Sequence, residues 1–423
     1  MRAKVPARPR RSRRLAVRGA ALGAAFVASV AVGACARPVP AATASAAAAP
    51  SAGVTARPEL AWSRAAVALP AEVVEVAPGT SVGMPCAPCH AAQASLLLGV
   101  VATGDGLLAV GVQQPPSRAI AYRSRDGRTW APEAGFAPGE ETLALAAAAD
   151  GVREVIVGRN GSDATAWTTS DGRTWRAARA GAVLRAPPGG TAQMSAVVAW
   201  RGQFVAVGHR DADAERRTAA VWVSDDGLDW QLVSDGPAFD DARAMGIAAT
   251  RTSLVAVGTA GPVASGRAVA WVSGDGQRWS RIDSPAFDAG QMRAVTAAAS
   301  GFVAVGSAVA NDRAVAWTSP DGRAWSVAPS SRDLEAAGNA IRMSAVATDG
   351  AGLIAAGWKS DAGNGSGVVW RSEDGRAWRR LPDQVSMSGA SLAGVVVLAG
   401  LPVVVGTSGS PDNDQASGWY EGP

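Results

Sequence analysis

Three sets of residues in this 423-residue chain have the types and spacing to do chemistry. The first is PCAPCH, residues 85–90, where Cys86, Cys89 and His90 follow the order Cys-x-x-Cys-His. Two thiols at that spacing, followed directly by an imidazole, can anchor a porphyrin by thioethers and ligate its iron, the c-type haem attachment pattern. The same pair can close a local disulfide in an oxidising compartment or act as a redox dithiol. The surrounding sequence has neither the helices that enclose a c-type haem nor a βαβ pattern. A Cys86–Cys89 disulfide that stiffens a long loop is therefore the expectation, and no cofactor. Haem c is the alternative, with His90 as axial ligand and His209, a methionine or water opposite. No fourth ligand completes a zinc site, and no metal is expected.

The second set is Met194, Met245, Met292, Met343 and Met387, which recur near the starts of apolar runs. A thioether ring suits Cu(I), but methionine also fills irregular gaps, and packing is the reading adopted. The third set is a repeated aspartate. AYRSRDGRTW, AWTTSDGRTW, VWVSDDGLDW, AWVSGDGQRW, AWTSPDGRAW and VWRSEDGRAW carry Asp126-Gly127, Asp171-Gly172, Asp226-Gly227, Asp275-Gly276, Asp321-Gly322 and Asp374-Gly375. An acid–base carboxylate is needed once or twice in a single cleft. Six copies point to construction: Asp accepts local N–H groups and Gly takes positive φ in a tight hairpin. Ser124, Thr169, Ser224, Ser273, Ser319 and Ser372 add a hydroxyl two positions upstream.

The spacing of these turns defines the elements that carry them. Successive turn glycines lie 45, 55, 49, 46 and 53 residues apart, the period of a four-stranded propeller blade. Between them runs a second signal: LLAVG, VIVG, FVAVG, LVAVG, FVAVG, LIAAG and VVVG. These number seven, each preceded by an apolar run that supplies an inner strand. Every unit reads as strand A, strand B ending in V-G, strand C with an aromatic, the Asp-Gly turn, and strand D with Trp. Seven inner strands and six hairpins are reconciled at the ends. ASGWYEGP supplies a strand C through Trp419 and stops, while ELAWSRAAVAL, with Trp62, reads as a lone strand D. The fold class is all-β: a seven-bladed propeller of four-stranded antiparallel blades, the last closed by the N-terminal strand. An open solenoid is the runner-up, but it would leave both end faces uncapped.

The hairpins resemble those of BNR or Asp-box proteins, which follow Ser-x-Asp-x-Gly-x-Thr-Trp. This chain is one residue shorter between Asp and Gly, as in Ser124-Arg125-Asp126-Gly127-Arg128-Thr129-Trp130. The likeness implies architecture. That superfamily includes six-bladed sialidases with an arginine triad, a Tyr/Glu pair and an Asp acid, and also seven-bladed non-enzymatic members. The chain has two tyrosines, Tyr122 and Tyr420, both in strand C, and no sialidase catalytic residue carries over.

Residues 1–34 read as an export leader: MRAKVPARPRRSRRLAVR, then the apolar AALGAAFVASVAVGA. Val32-Gly33-Ala34-Cys35 resembles the lipobox of bacterial lipoproteins, in which the cysteine takes diacylglycerol and becomes the mature N-terminus. The apolar run falls short of the roughly 20 residues that span a bilayer. Ser12-Arg13-Arg14 also resembles a twin-arginine signal, so the export route stays open. Residues 35–58, rich in Ala, Pro and Ser, form a tether that cannot bury a core, and residues 59–423 form the propeller. Without the eight basic residues of the leader the chain holds 32 basic against 36 acidic residues. The basic balance therefore belongs to targeting, and nucleic-acid binding is not expected.

The connections predicted on one face are long: HRDADAERRT, WKSDAGNGSG and TSGSPDNDQAS. Those on the other are tight. Variable loops on a rigid ring are the usual place for binding. Asp412, Asn413 and Asp414 lack the ligand spacing of an EF-hand. The expected function is a monomeric, non-enzymatic module, lipid-anchored at the cell surface, that binds an extracytoplasmic protein or glycan. The alternatives are a sialidase-like exo-glycosidase and a haem-bearing redox protein.

Overall fold

The computed structural model describes residues 61–68, 94–213, 215–234, 236–262, 265–350, 352–360, 365–409 and 414–422. They form seven antiparallel sheets of four strands each, ordered D-C-B-A from the outside inward. The A strands are Ala94–Thr103, Thr142–Ala149, Thr191–Trp200, Ala242–Ala249, Gln291–Ala298, Ile341–Thr348 and Ala390–Leu398, in blades 1 to 7. Each touches the A strand of both neighbours, and the seventh touches the first, so the circuit is closed. The molecule is a seven-bladed β-propeller.

The last blade is completed as expected. Trp62–Arg64 pairs with Gln415–Glu421, setting Trp62 opposite Glu421 and Arg64 opposite Trp419. Ser63 Oγ donates to Gly422 O at 2.6 Å, and Arg64 Nη2 donates to Ser408 Oγ and Ser417 Oγ at 2.6 and 2.9 Å. The same segment then does something further. Ala66–Val67 runs parallel to the outer strand Thr129–Pro132 of blade 1, adding a fifth strand there. Eight residues thus bridge the first and last blades, covering two sheet edges that would otherwise invite foreign strands.

The repeated tryptophans hold the ring in two ways. In strand C, Trp222, Trp271, Trp317, Trp370 and Trp419 are fully buried. Their indole N–H groups donate to Val183, Ala238, Ala286, Asp333 and Ser386 carbonyls at 2.7–2.9 Å, in the connection that enters each blade. A buried indole needs such an acceptor. The strand D tryptophans close their own hairpins instead: Trp130, Trp230, Trp279, Trp325 and Trp378 donate to the turn glycine carbonyl at 2.7–3.2 Å. Trp175 departs from this and donates to Glu133 Oε1 of the preceding connection.

Every A strand carries a β-bulge at one position, immediately after the residue that faces the V-G glycine. The glycine follows from it. A Cβ on Gly111, Gly158, Gly208, Gly258, Gly306, Gly357 or Gly406 would fall 1.8–2.1 Å from an A-strand carbonyl oxygen. The bulge brings the two backbones too close for any side chain.

Candidate functional site

The Asp-Gly turns are structural. Each Asp Oδ1 accepts two backbone N–H groups, two and three residues on, at 2.7–2.9 Å. Ser Oγ accepts the glycine N–H at 2.8–2.9 Å in five of them. These bonds hold Asp126, Asp226, Asp321 and Asp374 below the usual carboxylate range, and bring Asp275 down to about 2. The turn glycines take φ of 64–78°, and several press on the preceding blade: a Cβ on Gly322 would meet Val255 at 2.4 Å. These carboxylates are committed to the backbone.

The opposite face, reached by the long connections, is where the bulges lie. Two positions of each inner strand flank the glycine-facing residue there. The residues just before the glycine-facing position are Leu96, Leu143, Gln193, Arg243, Gln291, Arg342 and Ser391. At the bulge, Arg293 of blade 5 is followed by Ser344 of blade 6. The seven A strands together contain three arginines, Arg243, Arg293 and Arg342, and no Asp or Glu. The B strands add Arg159 opposite Leu143 and His209 opposite Gln193.

Compensation of this charge is partial. Arg243 donates to Asp211 Oδ2 through Nε at 2.7 Å and also through Nη2. Burial raises the Asp211 carboxyl, and Arg243 draws it back only in part. His209 is 8% exposed, with Nδ1 unbonded and Nε2 3.8 Å from Asp211 Oδ2. Burial, with Arg243 and Arg159 nearby, pushes its pKa down to about 3, so the imidazole is neutral. Arg342 lies over the Trp358 ring at 4.9 Å. Burial and the neighbouring Arg293 bring it down to about 10. Arg293 is only partly exposed, and burial alone lowers its pKa. No carboxylate among the described residues pairs with it, and its Nε has no hydrogen-bond partner there. Ser344 Oγ, in the adjoining A strand, and Thr296 Oγ1, in the same strand as Arg293, are fully buried and also unbonded.

Hydrolysis of a glycoside takes two carboxyls flanking one bond. Burial raises two at this end of the molecule, Asp211 and Asp414, but they belong to blades 3 and 7, across the ring. An off-axis cavity of about 500 Å³ lies between blades 4 and 5, lined by Asp241, Arg267, Arg281 and Asp288 among others. Most of its charges are matched, with Arg267 bonded to Asp283 and Asp288 and Arg217 to Asp241, while Arg281 donates to the Asp240 carbonyl. The buried guanidinium in no ion pair among the described residues is Arg293, at the axial end.

Cys35, Cys86, Cys89 and His90 lie outside the described residues. The expected Cys86–Cys89 disulfide is corrected: none is formed among the described residues, which contain no cysteine. Met194, Met292 and Met343 occupy the glycine-facing position and are fully buried, as packing requires. Met387 sits in the 3-10 turn Val385–Met387 and not in a strand. Among the described residues no three His, Cys, Asp or Glu group as a metal site, and no helix is long and apolar enough to cross a membrane. The sequence reading missed the three arginines. Their signal was present in ARAM, QMRA and IRMS, where a cation interrupts an inner strand that is uncharged in the other blades.

No family model matches the chain, and no curated protein does. Among solved structures it is similar to one described as YCF48 bound to D1 peptide, at 13% identity over 79% of this chain and 92% of that one, with a TM-score of 0.48. It is also similar to a Trypanosoma rangeli sialidase in complex with sialic acid, at 12% identity over 78% of this chain and 54% of that one, TM-score 0.43. A GH43 β-1,3-galactosidase matches at 11% identity over 53% of this chain and 88% of that one, TM-score 0.35. These include enzymes and a peptide-bound protein, and at such identities and TM-scores none bears on what this chain binds.

Proposed function

We propose that the protein is a non-enzymatic, monomeric binding module, exported and held at the outer side of a bacterial membrane by a lipid on Cys35. Its Asp-turn hairpins, with Ser, Asp, Gly and Trp bonded alike in blade after blade, support placing it with Asp-box propellers. The long-loop face would receive an extracytoplasmic protein or glycan. The observation that carries this reading is the axial mouth: inner strands with three arginines, no acid, and one buried guanidinium, Arg293, in no ion pair among the described residues. Burying an unmatched charge is costly, and such cost concentrates at functional sites.

The test uses three exposed valines. Val309 and Val385 project from long connections, 38% and 95% exposed, while Val152 is 74% exposed on a tight turn of the other face. A photo-crosslinking residue at each position, in intact cells, should give a discrete adduct from 309 or 385 and none from 152. Adducts only from 152, or from none of the three, would sink the assignment of the face. Cys35→Ser should move the protein from the membrane to the soluble fraction, and an intact mass without diacylglycerol on wild type would refute the anchor.

A further inference from the structure

We infer that the axial mouth holds a carboxylate, with Arg293 as its buried guanidinium donor. This deepens the binding-module reading by naming the group a partner must present. Arg293 occupies the bulge of blade 5, where the A strand turns one extra residue out of its ladder. Bulges re-aim side chains, and the equivalent positions in blades 1, 2 and 7 are Leu98, Leu145 and Ala393. A packing role needs no guanidinium there. Arg293 has no ion pair among the described residues, and its Nε is buried and unbonded. Next to it in the ring, blade 6 places Ser344 at the same bulge position, fully buried with a hydroxyl that has no partner.

A buried polar group without a bond costs free energy that a ligand can return. A planar carboxylate takes two parallel N–H···O bonds from one guanidinium. Arg293 presents one such fork, which a carboxylate fills. A phosphate dianion would need more charge stripped of water. Acidic sugars and peptide carboxylates share this chemistry, and the experiment separates them.

Detergent-solubilised full-length protein is titrated calorimetrically with glucuronate, N-acetylglycinate and inorganic phosphate, with glucuronamide and N-acetylglycinamide as neutral controls. At least one carboxylate should bind saturably, its amide should not, and Arg293→Met should weaken binding at least about tenfold. Which carboxylate binds assigns the sugar or the peptide source. Equal binding of the amide, unchanged affinity in R293M, no saturation by either carboxylate, or tighter binding of phosphate would each overturn the proposal. The ligand-free melting temperature gives a second readout. Removing an uncompensated buried charge should leave it unchanged or raise it, whereas a fall would mark Arg293 as structural and overturn the site. Crosslinking at Val309 and Val385 can succeed or fail independently, so failure of the carboxylate site is distinguishable from failure of the binding face.

Discussion

At the scale of single residues, the axial end of blades 3 and 4 stakes much on His209. Its imidazole is neutral because it is buried beside Arg243 and Arg159, with a folded pKa of about 3. The unfolded chain takes up the proton below about 6.5. Between those values the unfolded state binds more protons than the native one, so stability is lost as pH falls through that window, by up to about 1.4 kcal/mol per unit. His209→Asn removes this slope. Urea midpoints at pH 7.5 and 5 should differ less in the variant than in wild type, in a range above the titration of the Asp turns. An equal difference would mean that His209 carries no depressed pKa. The turn aspartates have the opposite sense. With folded pKa values held low by backbone N–H groups, they stabilise above about 4 and fail as pH falls further, which was legible in the sequence because a hairpin turn is a local structure.

At the scale of the element, the V-G glycine and the A-strand bulge form one device repeated seven times. Gly258→Ala places a Cβ 1.9 Å from Arg243 O. The backbone must shift, at a cost on the order of 3 kcal/mol, and Arg243 with its Asp211 pair moves with it. Gly274→Ala is the control: a Cβ there meets nothing within 4 Å, and stability should stay within about 1 kcal/mol of wild type. Thermal unfolding of the two variants checks this, and similar melting temperatures would remove the close-approach account. The V-G pattern showed in sequence that seven B strands exist. It did not show why the glycine is there, because the crowding carbonyl belongs to another strand and the bulge is a property of the pairing.

At the scale of the molecule, residues 61–68 are the clasp. Trp62–Arg64 completes blade 7, and Ala66–Val67 covers blade 1. Deleting this segment exposes both edges, and the protein should melt lower and self-associate, since an open strand edge recruits other chains. Analytical ultracentrifugation against concentration reads the association, and a synthetic peptide spanning 59–70 should reverse it. A deletion variant that stays monomeric with an unchanged melting temperature would refute the clasp. The parallel fifth strand was not foreseen, because two residues carry no periodicity from which a strand can be read.

The sequence by itself determined the blade count, the hairpin chemistry and the closing role of Trp62 and Trp419, since each rests on period, local turn bonding or the arithmetic of strands. Tertiary structure alone decided the axial mouth. Arg243, Arg293 and Arg342 are 50 and 49 residues apart, each unremarkable in its own segment. Only closure of the ring brings their inner strands around one axis, with Arg243 paired to Asp211 and Arg293 in no ion pair among the described residues.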